Sequence, residues 1–72
     1  MSKDAKIAEF LAFCIEMYAQ EKNLSGSVVS SRLEAAGGYE YLRNGYEVLH
    51  TMGHEWLVED LDEFFRARGF AA

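Results

Sequence analysis

The stretch LHTMGHEWLVEDL, residues 49–61, contains both histidines, the only tryptophan and half of an acidic cluster. Gly53 in its middle predicts a turn, because glycine commonly follows a helix end and has a low propensity to continue a helix. Leu57 and Leu61 follow at a spacing of four, which places two side chains on one face of a helix. The stretch therefore predicts the end of one helix, a turn and the start of an amphipathic second helix.

The helix that starts here is predicted to run from about His54 to Arg68. Its apolar side chains are expected to face inward, namely Leu57, Leu61, Phe64 and Phe65. Its carboxylates are expected to face outward, namely Glu59, Asp60, Asp62 and Glu63. Arginines in the last turn and a glycine at position 69 suit the negative end of the helix dipole and a stop signal.

Three helical segments are predicted before it. Ser2 is a suitable cap for a first helix that extends to about Lys22. Apolar side chains at i, i+3, i+4, i+7 and i+11 would line one face of this helix: Ile7, Phe10, Leu11, Cys14 and Tyr18. Other apolar residues, Phe13, Ile15 and Met17, widen the stripe. The first helix is therefore expected to be covered on more than one side or to contribute to an interface.

A second helix is predicted to begin at a serine cap, Ser25 or Ser27, and to stop at the glycines at positions 37 and 38. A third segment, residues 39–50, has helical spacing, but Gly45 inside it weakens an unbroken helix. The chain has no proline, and its glycines lie at apparent boundaries. The sequence thus predicts a single all-α domain over residues 1–72, a compact bundle of about four helices with the third short or broken.

Composition and charge exclude several classes of function. The chain has 72 residues, of which 50% are hydrophobic. Because so small a domain is expected to leave apolar surface exposed, this composition favours self-association or a partner that buries that surface. A net charge of −5 with scattered basic residues argues against binding to nucleic acid or an anionic membrane. The polar start and the lack of a long apolar run predict a cytoplasmic protein without a membrane span.

Two strings resemble a small bacterial family of unknown function. One is FCIEMY at residues 13–18, and the other is LHT at residues 49–51, followed by Gly53 and by LVEDL at residues 57–61, with Tyr46 three residues before the LHT string. The resemblance implies a short helical protein with no established activity and no catalytic residues to carry over. Genes of that family often neighbour others that encode proteins similar to ADP-ribosyltransferases, which implies an antitoxin-like or accessory partner role.

The two histidines raise the question of a metal site. His50 and His54 are four residues apart and Glu47 lies three before His50, a spacing that could place three ligands on one helix face. Gly53 predicts a break that separates them, so no metal and no cofactor are expected. Instead, we expect His50 to fix the turn through a hydrogen bond, Thr51 to cap the last helix and His54 to face solvent.

An enzymatic alternative rests on Arg43 and His50. Their spacing resembles the Arg-x₄₋₆-His signature of HEPN-type ribonucleases, in which such a pair assists attack of a ribose 2′-hydroxyl on phosphate. The short chain and the acidic composition argue against this alternative. Cys14 is a second candidate nucleophile, but it lies on the apolar face of the first helix, where a buried cysteine acts as a small inert hydrophobe.

An interaction surface is the favoured hypothesis. Tyr41 and Trp56 are large amphipathic residues that anchor interfaces, and Tyr41 falls off the apolar stripe of its segment, so it is expected to be exposed. The carboxylates Glu59, Asp60, Asp62 and Glu63 would steer a basic partner. The sequence thus favours a non-enzymatic protein–protein interaction domain, an antitoxin-like partner that acts by occlusion, with a homodimer through the first or last helix as a further expectation.

Overall fold

Five helices make up the fold in a computed structural model that describes residues 2–70. They are α1 (Lys3–Lys22), α2 (Gly26–Ala36), α3 (Gly38–Asn44), α4 (Tyr46–Leu49) and α5 (His54–Ala67). These residues contain no strand. The predicted all-α bundle is confirmed, and so is the broken third segment, because Gly45 separates α3 from α4.

Local chemistry explains where the helices begin and end. Ser2 and Ser25 each have extended backbone at an N-cap, and each side chain accepts a hydrogen bond from the backbone N–H three residues on, at 3.2 Å. Asn23 and Gly37 end α1 and α2 in the left-handed region, with φ values of 56° and 75°. Of the two predicted caps for α2, Ser25 is therefore the one used.

The core lies between α1 and the other helices. The buried face of α1 includes Ile7, Phe10, Cys14, Met17 and Tyr18. The predicted inward face of α5 is confirmed, because Leu57, Leu61, Phe64 and Phe65 are all buried. The additional apolar residues of α1 differ in burial. Met17 belongs to the core, whereas Phe13 is 48% exposed.

The accessible surface area of the chain is that expected for a compact fold of its mass. Its accessible area is 4570 Å², and the scaling of area with mass gives about 4,500 Å² for 8.2 kDa. The exposed large apolar side chains are Phe13, Val28, Val48 and Trp56. Within residues 2–70 no helix has the length and apolar character needed to cross a bilayer. Self-association stays a prediction.

The start of α5 differs from the sequence-based expectation. Thr51 does not cap this helix, because its hydroxyl donates to the carbonyl of Val48 at 2.7 Å. The N-cap is Gly53, which has no side chain to accept a hydrogen bond. Its backbone angles of −72° and 163° nevertheless match those of the capping residues Ser2 (−74°, 157°) and Ser25 (−78°, 153°).

This match predicts that Gly53→Ser stabilises the protein by about 1 kcal/mol, from a new cap hydrogen bond and a less flexible unfolded chain. A Cβ at position 53 meets nothing within 4 Å, so no clash opposes the gain. Thermal unfolding should show a midpoint raised by roughly 4–8 °C. Gly53→Ala is the control, since it stiffens the unfolded chain without the cap; equal stability of the two variants would contradict the prediction.

Candidate functional site

The outward surface of α5 carries an exposed tryptophan beside carboxylates. The side chain of Trp56 is 43% exposed. With Glu59, Asp60 and Glu63, it lines a shallow depression of about 120 Å³. These residues lie three, four and seven positions after Trp56, which places them on the same side of the helix. The structure thus brings together four of the six residues predicted to form an interface.

A ridge of like charges runs along the same helix. Glu55, Glu59 and Glu63 are spaced at i, i+4 and i+8, and all three are exposed. Residues at this spacing are neighbours on a helix surface. We call Trp56 and these three glutamates, together with Asp60, the α5 acidic surface.

A second depression lies on the other flank of the ridge, between α1 and α5. Its volume is about 220 Å³, and it is lined by Glu21, Glu55, Val58 and Glu59. Val58 provides an apolar wall and the three glutamates provide the rim. Glu59 lines both depressions, so the two are adjacent. Glu21 belongs to α1, and no local feature of the sequence placed it near residues 55–59.

The sequence predicted that Tyr41 and Asp60 face solvent, and the structure corrects this prediction. Both are partly buried. The Tyr41 hydroxyl donates to Asp60 Oδ2 at 2.6 Å, and its ring stacks on that of Phe64 with centroids 4.5 Å apart. Burial, followed by the hydrogen bond to Asp60 and its negative charge, raises the pKa of Tyr41 to about 12. Tyr41 therefore holds Asp60 in a fixed orientation at the edge of the α5 acidic surface.

Asp62 also faces inward, which corrects its predicted outward orientation. Its carboxylate accepts a hydrogen bond from the Tyr18 hydroxyl at 2.6 Å and pairs with Lys22 Nζ at 2.6 Å. Burial alone would raise the pKa of Asp62, but the contacts with Lys22 and Tyr18 outweigh it and lower the pKa. Burial raises the pKa of Tyr18, and the contact with Asp62 raises it further. Asp62 thus joins α5 to α1.

The two histidines lie in different surroundings. His50 Nδ1 forms a hydrogen bond with the carbonyl of Tyr46 at 2.6 Å, and its ring stacks on the Tyr46 ring with centroids 4.3 Å apart. The predicted hydrogen bond of His50 is thus present, but it is made back to the first residue of α4. His54 is exposed as predicted and contacts Glu21 at 3.3 Å.

His54 is held apart from Glu47, another ligand of the metal hypothesis. Glu47 pairs with Lys3 at 3.0 Å, whereas His54 contacts Glu21. Lys3 and Glu21 are 18 residues apart on α1, which corresponds to roughly 27 Å along a helix. In the described part of the chain, no group of three or more His, Cys, Asp or Glu residues is arranged to hold a metal ion.

The residues of the two enzymatic alternatives lie in different surroundings, one beside a surface depression and one in the core. His50 lines a depression of about 300 Å³ with Lys3, Lys6, Tyr46 and Glu47, and Arg43 is not among the lining residues. Cys14 is 0% exposed, and burial raises its pKa to about 12, which suppresses the nucleophilic thiolate. Cys14 is therefore part of the core.

The Asp62 contacts predict a pH-dependent stability difference. Asp62→Asn removes a charge that Lys22 and Tyr18 stabilise, so it should lower the free energy of unfolding by about 2 kcal/mol at pH 7. The folded-state pKa of Asp62 lies below its unfolded value, so the contribution is full above an unfolded pKa of about 3.9 and is lost as the pH falls through the folded value.

Urea unfolding of wild type and Asp62→Asn between pH 7 and pH 2 measures this difference, which should shrink below about pH 4. Glu63→Gln is the control, because it makes the same change of charge at an exposed position of the same helix. A difference that stays constant over this pH range would contradict the assigned role of the ionised carboxylate.

Residues 9–68 match the model of the DUF3791 family, described as proteins of unknown function. No curated protein and no solved structure gives a significant match. The match spans most of the chain, in agreement with the resemblance to a small family of unknown function, and the chain belongs to the DUF3791 family.

Proposed function

We propose that the chain is a non-enzymatic protein-binding module whose α5 acidic surface binds a basic region of a partner protein. The observation that carries this proposal is the exposed Trp56 beside a ridge of glutamates. Tryptophan is enriched among the residues that contribute most to binding, because a large rigid ring is buried at a small entropic cost.

The ridge carries an energetic penalty in the free protein. Glu59 has Glu55 four residues before it and Glu63 four residues after it, and neither neighbour is basic. Like charges at these spacings destabilise a helix by about 0.2–0.5 kcal/mol per pair. Cationic side chains of a partner, placed beside these glutamates, would replace the repulsion with attraction. This supports a basic region as the part of the partner that binds.

The biological role proposed for this binding is antitoxin-like. The module would act in the cytoplasm and occlude a functional surface of a neighbouring enzyme similar to ADP-ribosyltransferases, as the family resemblance implies. Trp56 would insert into the partner, and the glutamates would steer the encounter and fix its orientation. A homodimer would present two such surfaces to the partner.

Substituting Trp56 tests the proposal. Tagged wild type should capture a stoichiometric protein from the native-host lysate. Once that protein is purified, its affinity for Trp56→Ala should be about 30-fold lower than its affinity for wild type, which corresponds to a loss of about 2 kcal/mol. Trp56 is the only tryptophan of the chain, so its fluorescence reports binding whenever the partner perturbs it. Titrations of both variants by calorimetry give the two affinities.

The matched control is Glu34→Gln, an exposed glutamate on α2 outside the α5 acidic surface, compared with Glu59→Gln. The control should bind as wild type does, and Glu59→Gln should bind more weakly, with both affinities falling as salt is added. Capture that persists unchanged in Trp56→Ala and Glu59→Gln would exclude this surface as the binding site.

The repulsion along the ridge gives an independent prediction for the free protein. Glu59→Gln should raise the free energy of unfolding by roughly 0.4–1 kcal/mol, because it relieves the two like-charge pairs that Glu59 forms with Glu55 and Glu63. The same substitution should weaken partner binding, a trade between stability and function. Thermal unfolding at low and high salt measures the effect, which should fade with added salt; a less stable variant at low salt would refute the repulsion.

A further inference from the structure

We draw no further inference here: the strongest candidate, the surface depression between the start of α1 and α4 that Lys3, Lys6, Tyr46, Glu47 and His50 line, carries none, because its charged side chains are exposed, Lys3 already pairs with Glu47, and no feature of residues 2–70 identifies a ligand for it.

Discussion

The buried face of α5 (Leu57, Leu61, Phe64 and Phe65) sets which side of the helix faces solvent, and the hydrogen bond from Tyr18 to Asp62 anchors that orientation against α1. This hydrogen bond joins α1 to α5, and Lys22 from the end of α1 pairs with the same carboxylate. The Tyr18 ring also packs against Phe65, with centroids 5.5 Å apart. One residue corresponds to about 100° of rotation around a helix. A shift of one residue would therefore remove both contacts and turn the glutamate ridge away from its present position.

The carboxylates of α5 fall into two groups that the same helix uses differently. Asp60 and Asp62 each accept a hydrogen bond from a tyrosine, at 2.6 Å in both cases, and this contributes to packing. Glu55, Glu59 and Glu63 are exposed on one outer face, where they repel one another. The buried apolar face of α5 offsets that repulsion. Under the proposed function, the local loss of stability along the ridge is explained by the binding of a partner.

Much of the fold could be predicted because it depends on local spacing. Helix bounds followed from serine caps and glycine stops, and the break at Gly45 followed from glycine's poor helix propensity. The tyrosine–carboxylate contacts could not be predicted, because they join residues 44 and 19 positions apart. Tyr41 was expected to be exposed because it lies off the main apolar stripe of its segment. A short helix packed on more than one side has more than one buried face, which a single stripe does not represent.

The groups with shifted pKa values differ from the groups of the α5 acidic surface. Shifted groups often mark catalytic centres, but a general acid or base works best with a pKa near the working pH. In this protein the pKa values of Cys14 and Tyr41 are raised to about 12, away from neutrality, and that of Asp62 is lowered by contacts that hold two helices together. These shifts are explained by packing. At the α5 acidic surface, the exposed indole of Trp56 and the exposed glutamates of the ridge gain little from the fold, and under the proposed function they would gain from contact with a second molecule.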